Sequence, residues 1–375
     1  MENLRQDEAK AYNKSKRILT IISLLINFIF LIFLLFSKAT HLFRDIGDSI
    51  STSPGLIILI YLLIVGGLSE VISLPLEFYG GYTLEHKFKL SNQRVKDWAL
   101  DHIKELLVSL VLTFLVIELV YFLLRRYPSS WWIIAGVIFV LFLIALVNLA
   151  PILLMPIFFK FTPLKDSELK ERLLLLSKRA NTQVKGIFEC NLSKKSKKSN
   201  AALAGLGNTR RIILADNLLK SFKEDEVEVI LAHELGHHIY NHLWKGIGLE
   251  VILIFSGFYL ANLCLGNFSN YFGFGGIADI AGLPLLILAI SGLSLFLLPL
   301  FNLYSRRLET QADDYALNIT KNSQAFITTM KRLAEQNLAE VEPNKIIEFI
   351  FYSHPSIGKR IKRAERFTSN YNKIL

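Results

Sequence analysis

Cysteine is nearly absent from this chain: Cys190 and Cys264 are the only two in 375 residues. They stand too far apart for a local motif, so a disulfide-built secreted scaffold is excluded and no disulfide is expected. Charge is also scarce. Only 20% of residues are Asp, Glu, Lys or Arg, below the quarter usual in soluble domains. Internal repeats are missing, and a single low-complexity patch occurs, Lys194-Lys195-Ser196-Lys197-Lys198. Alone, it reads as a solvated loop. Acidic residues are outnumbered 32 to 42, a net charge of +10. The basic residues form no stripe interleaved with aromatics, so nucleic acid is not expected as a partner. In an apolar chain such an excess fits loops held at an anionic leaflet.

Apolar residues make up 52% of the sequence, which excludes disorder. They gather in six stretches near the roughly 20 residues that cross a bilayer. These are Ile18–Phe36, Leu56–Leu76, Leu106–Leu124, Trp131–Leu149, Gly246–Leu265 and Ile280–Leu303. The first is too long for a signal-peptide core and lacks a small-residue cleavage site after it, so it is expected to stay as a helix. Lys and Arg counts in successive loops alternate between high and low, with none in 266–279. By the positive-inside rule, both termini and both large polar segments, 160–245 and 304–375, face the cytoplasm. That side belongs to a bacterial inner membrane or the endoplasmic reticulum. Glu70, Glu118 and Asn148 fall inside spans, where polar groups face the bundle interior or pair with one another.

Segment 160–245 opens with Thr162-Pro163 and an amphipathic helix over Asp166–Ala180. Three short strand-like runs follow, Gln183–Cys190, Asn200–Gly205 and Arg210–Ala215, with Asn208 in a turn between the last two. A helix is expected from Glu224 to Leu243, its acidic first turn suiting the helix dipole. The tail reads as several helices broken near Pro343 and Pro355.

The helix at 224–243 carries His233-Glu234-Leu235-Gly236-His237, an H-E-x-x-H pattern. Positions i and i+4 share one helix face, so His233 and His237 can each offer a ring nitrogen to one ion. Glu234 lies beside that ion, where it can accept a proton from water. Gly236 is expected to leave open space near the ion. His238 and His242 also stand at i and i+4, but no carboxylate follows His238, so they are expected to pack nearby or to support the ligands. A catalytic zinc needs a third protein ligand and an open position. Candidates are Glu250, Glu309, Asp313 and His354. Glu309 and Asp313 again share a helix face, just past the sixth span. Glu309 is the favoured ligand, with Asp313 holding a ligand histidine by its other N–H.

Five ordered motifs carry a resemblance. They are Pro75–Tyr79 with Glu85–Phe88, Lys160–Leu164, Ser199–Gly205, the pair His233–His237 and Ser305–Asp313, and Ser353-His354-Pro355 with Arg360. Together the sequence resembles the type I CAAX prenyl proteases, membrane zinc metallopeptidases. The resemblance implies His233, His237 and Glu309 as ligands of one zinc per chain and Glu234 as general base. It implies Asn200 and Ala201 on an edge strand that pairs with an extended substrate. His354 would stabilise the oxyanion, and Arg360 would meet a substrate carboxylate.

The expected architecture is mainly α. It has six transmembrane helices and a cytoplasmic metalloprotease domain carrying a small β-sheet. Four spans occupy 1–159, the H-E-x-x-H segment 160–245, a transmembrane hairpin 246–303 and a helical segment completing the site 304–375. The expected partners are a peptide or protein substrate, prenylated in the family's manner, and the lipid bilayer. The nearest alternative is a membrane quality-control zinc protease of the heat-shock type; a non-enzymatic zinc transporter or sensor is a more distant one.

Overall fold

A computed structural model describes residues 2–205 and 209–371. Its helices follow the apolar runs, because in lipid a backbone must satisfy its own hydrogen bonds. Helices α1 (Glu2–Phe36), α3 (Pro54–Phe78), α5 (Val95–Arg126) and α6 (Trp131–Leu149) come first. Between the first two lies α2 (Ala39–Ile50), only 12 residues long. After α3, a widened turn at Tyr79–Thr83 leads into α4 (Leu84–Lys87); after α6, a similar turn at Ala150–Leu154 leads into α7 (Met155–Phe158). Among the described residues, six helices are long and apolar enough to cross a membrane, as the hydrophobic runs predict. Their interior contacts include Tyr61, Tyr121, Trp131 and Phe258. The indole of Trp131 donates to Asn262 Oδ1 at 2.8 Å. Outward faces carry bare Ile29, Phe33, Ile252 and Phe296, as lipid contact requires.

The polar segment folds as β1 (Phe161–Pro163), α8 (Glu168–Arg179), β2 (Ile187–Cys190), β3 (Ala201–Ala204) and β4 (Arg211–Ala215). Short α9 (Asp216–Ser221) then precedes α10 (Glu224–Ile239). Strand order is β1-β2-β4-β3; β2 and β4 run parallel, and the outer pairs are antiparallel. β3 is therefore an edge strand. β1 was not expected, since three residues carry no readable period. The turn residue Asn208 lies outside the described residues. Ser167 caps α8, its Oγ accepting from the Lys170 N–H.

Helices α11 (His242–Phe272) and α12 (Leu283–Thr320) return to the membrane, and α13 (Ser323–Asn337), α14 (Lys345–Phe351) and α15 (Ile357–Tyr371) close the domain. Breaks fall beside Pro343 and Pro355, as the prolines predict. α12 continues unbroken from the apolar span through Pro299 to Thr320. One helix thus carries both the sixth span and Glu309. The domain core packs Leu173, Leu176, Ile212, Leu214, Leu231, Leu235, Leu317, Phe326 and Met330 between sheet and helices.

Two expectations need correction here. The helix predicted to end at Leu243 stops at Ile239, because Asn241 turns left-handed (φ 54°) and starts a new helix. The lysine patch is not a free solvated loop. Lys195 binds Asp101 at 2.7 Å and Lys198 binds Glu85 at 2.9 Å. The Lys197 N–H donates to Leu90 O at 2.8 Å. Carboxylates on the membrane helices and the 90–92 backbone hold the patch against the membrane region.

Candidate metal centre

α10 and α12 cross closely, and the reason is Gly236. A Cβ there would lie 3.0 Å from Ala312 Cα and 3.1 Å from Tyr315 Cβ. Gly236 therefore serves helix approach, not open space near an ion as the sequence suggested. The crossing brings Glu309 to the histidine face of α10. His233 Nε2 lies 3.1 Å from Glu309 Oε2, and His237 Nε2 lies 3.3 Å from Glu309 Oε1. The two Nε2 atoms face each other at 3.1 Å. Glu309 Oε2 is buried and makes no hydrogen bond. Two ring nitrogens and an orphaned carboxylate oxygen aimed at one point are the geometry of ligands around a shared cation. The donor set, two imidazoles and a carboxylate, is one that zinc favours in catalytic sites. The residues present therefore fit a metal. Of the other candidate ligands, Glu250 stays on α11 outside this group.

Ring orientation is fixed from behind. Free Nε2 atoms require the ring protons on Nδ1. His233 Nδ1–H then donates to Asp313 Oδ1 at 2.9 Å. His237 Nδ1–H donates to His242 Nδ1 at 3.0 Å, and His242 Nε2–H donates to Gln311 Oε1 at 3.0 Å. His242 reaches back only because the chain turns at Asn241. Asp313 in turn accepts from Arg360 Nε at 2.9 Å and Nη2 at 2.6 Å. Both are buried, so the sequence expectation that Arg360 meets a substrate carboxylate finds that side chain engaged by Asp313. In the metal-free protein burial disfavours a charged His233, but the adjoining Asp313 and Glu309 carboxylates outweigh it and push the imidazole up to about 9.

Glu234 faces the same space. Burial raises its carboxyl above the usual range, with His233 and His237 pulling the other way. The Leu203 backbone on β3 pulls it down too, and both residues line one cleft. That placement follows from the sheet register. Ala215 N–H bonds Asn200 O, so residues 200, 202 and 204 point at β4 while Ala201 and Leu203 present their N–H and C=O to the free edge. A cleft of about 230 Å³ lies at the Leu203–Gly205 end, lined also by Arg210, His238 and Trp244. Another of about 220 Å³ lies at the Ser199–Ala201 end, with Phe326, Met330, His354 and Arg360. Glu234 borders both.

His354 comes from the loop between α14 and α15, its Nε2 3.2 Å from Glu309 Oε1. Arg306, one turn before Glu309 on α12, donates to Glu348 O at 2.9 Å and also to Tyr352 O, tying that loop to the same helix. His242 takes the supporting place the sequence expected of it, whereas Arg306 was not singled out in the sequence. Three polar residues within the spans have side-chain partners: Glu70 with His102, Glu118 with Arg125 of its own helix, and Asn148 with Thr209.

Comparison with known proteins agrees with this arrangement. The pattern of peptidase family M48 matches residues 163–368, and the pattern described as "CAAX prenyl protease N-terminal, five membrane helices" matches residues 2–160. The structure has four helices of spanning length in that second region, plus the short α2. An uncharacterized metalloprotease of Bacillus subtilis, YhfN, is 31% identical over 82% of this chain and 72% of its own. CAAX prenyl protease 1 of Saccharomyces cerevisiae is 32% identical over 81% of this chain and 71% of its own. The crystal structure of S. mikatae Ste24p superposes with a TM-score of 0.84 at 27% identity, covering 96% of this chain and 89% of that one.

Proposed function

The chain belongs to peptidase family M48 and is a multi-pass membrane metalloprotease, and from that premise we propose that its metal is zinc and its substrates are peptides cleaved near a prenylated C-terminus. The carrying observation is the convergence of His233, His237 and the unpartnered Glu309 oxygen beside Glu234, which borders the clefts at both ends of a free strand edge. His233, His237 and Glu309 hold the metal; Asp313 and His242 aim the two rings. When bound, the metal supplies Lewis-acid polarisation of water and of the scissile carbonyl.

The rest is done by the chain. An extended substrate adds to the outer edge of β3, using the N–H and C=O of Ala201 next to Asn200. Main-chain pairing sets the scissile bond beside Glu234 without reading side chains; the two clefts read those. Glu234 accepts the proton of the attacking water and delivers it to the leaving nitrogen, a task its burial-raised basicity favours. His354 donates to the carbonyl oxygen as negative charge grows there. Arg360 keeps Asp313 in place and borders the cleft that takes one side of the substrate. The site faces the cytoplasm, with both termini, and the bilayer carries the substrate's lipid. Residues 1–159 and 246–303 are the membrane parts, 160–245 and 304–375 the catalytic parts. The two family patterns, covering nearly the whole chain, favour this over a quality-control protease of the heat-shock type.

The test is cleavage of a farnesylated CAAX peptide by wild type and Glu234→Gln, with zinc content measured on both. Cleavage by wild type, and loss of about 10²–10⁴-fold in a mutant that keeps its metal, is expected. Zinc in both proteins with no cleavage by either refutes the substrate assignment. Undiminished cleavage by Glu234→Gln refutes the base.

A further inference from the structure

A second group of metal-ligand side chains lies away from the catalytic centre. Glu70 and Glu77 on the α3 span and His102 on α5 bring ligand atoms within 4.8 Å of one another. His102 Nε2 is 2.7 Å from Glu70 Oε1, and its Nδ1 is 3.8 Å from Glu77 Oε2, too far for a hydrogen bond. The imidazole is held flat against Trp98, rings 5.0 Å apart and 7° from parallel. Trp98 is itself braced edge-on by Phe78. The ring is thus aimed, not free.

The charge balance of the group is poor. Among the described residues, neither Glu70 nor Glu77 pairs with a lysine or arginine; each has only His102. Glu105 adds to the negative field at Glu77. Carboxylates set within membrane helices are costly unless compensated, and one imidazole cannot compensate two. A dication can. The imidazole argues against magnesium or calcium, which take oxygen ligands, and for a first-row divalent ion such as zinc.

We propose that Glu70, Glu77 and His102 form a second divalent-cation site, of the zinc class, which clamps α3 to α5. Its position gives it a mechanical role. Beyond Glu77 the chain turns through Tyr79–Thr83 into α4, where Glu85 binds Lys16 and Lys198. The following residues pair with the 195–197 backbone, which leads directly into β3. The clamp therefore fixes the foot of the strut that holds the substrate-binding strand's approach. This site is independent of the reading of the catalytic centre, since it uses none of its residues.

The experiment is zinc content per chain on purified full-length protein equilibrated with micromolar free zinc and then desalted. Wild type is expected to hold two equivalents. Glu77→Gln and His102→Gln should each hold one, as should Glu309→Gln, and Glu309→Gln combined with His102→Gln none. In Glu309→Gln, added zinc should still raise the unfolding temperature, and this rise should vanish with His102→Gln. One equivalent in wild type, unchanged in Glu77→Gln and His102→Gln, overturns the proposal and leaves an ordinary His–Glu pair. If His102→Gln does not fold, Glu77→Gln decides alone, because the Glu77 side chain is 47% exposed and its loss leaves no buried gap. A Glu309→Gln protein without zinc likewise refutes the second site, whatever the catalytic centre does in wild type.

Discussion

Replacing Asp313 separates two jobs that the structure assigns to one side chain. Asp313 is 1% exposed and accepts from His233 at 2.9 Å and from Arg360 at 2.9 and 2.6 Å. Asp313→Ala leaves the buried Arg360 guanidinium without its counter-charge. Breaking such a pair from one side costs about 3–5 kcal/mol. It also frees His233 Nδ1–H, and losing that kind of ligand support weakens metal binding about 10–100-fold. A single variant confounds the two effects. The double variant Asp313→Leu with Arg360→Met removes the stranded charge and keeps the volume. It should recover most of the thermal stability in detergent, since buried pairs exchange for apolar groups at little net cost. It should not recover metal affinity, measured by competition with a chromophoric chelator. Recovery of both would refute the claim that Asp313 aims His233, and would leave it a purely structural ion-pair partner. Stability unchanged in Asp313→Ala would refute the reading of the pair itself.

Other consequences can be measured with the same material. His242→Ala removes the acceptor behind His237 and should lower metal affinity by about 10–100-fold while α10 stays folded, as chelator competition and circular dichroism will report. Because His233 in the metal-free protein is raised above its unfolded value, the proton it holds stabilises the fold below about pH 6.5. That contribution fades as pH rises through about 9. Chelated protein should therefore lose thermal stability between those values while metal-loaded protein does not, and equal pH profiles would contradict this. Gly236→Val drives a branched side chain into the Ala312 backbone; a cost of about 1–3 kcal/mol is expected, with loss of cleavage from the displaced Glu309. Ala201→Pro removes an outward N–H from an edge strand, where proline is tolerated. It should raise KM for peptide without lowering the unfolding temperature.

The spans and the shared face of His233 and His237 were legible because each obeys a fixed length scale. A bilayer demands about 20 apolar residues, and a helix returns to the same face after four. Glu309 and Asp313 were legible for the second reason. What was missed depends on partners that sequence spacing does not encode. Asn241 carries no strong stop signal, yet its left-handed turn ends α10 and sends His242 back to His237. Gly236 was read as room for an ion because the residue it meets, Ala312, lies on another helix. The Arg360–Asp313 pair was not read because the two residues stand 47 positions apart on different helices; the resemblance alone implied a substrate role for Arg360. The lysine patch looked solvated because its carboxylates, Asp101 and Glu85, precede it by many residues on membrane helices.

The same distinction explains why the centre is built across the membrane boundary. His233 and His237 sit on α10, inside the sheet-backed core, and Glu309 sits on the extension of a spanning helix. A flexible joint before Glu309 would let the third ligand wander. α12 has none: it runs on from the span, and Arg306 ties the His354 loop to it one turn earlier. The position of the metal relative to the bilayer is then set by helix geometry, about 1.5 Å for each residue past the span. A site fixed at that height beside β3 suits a substrate whose peptide is extended and whose anchor is in the lipid. Inserting one residue into α12 before Glu309 would rotate that side chain by about 100° and abolish metal binding, whereas insertion in the 273–279 connection at the far end of the helix pair should leave zinc content unchanged.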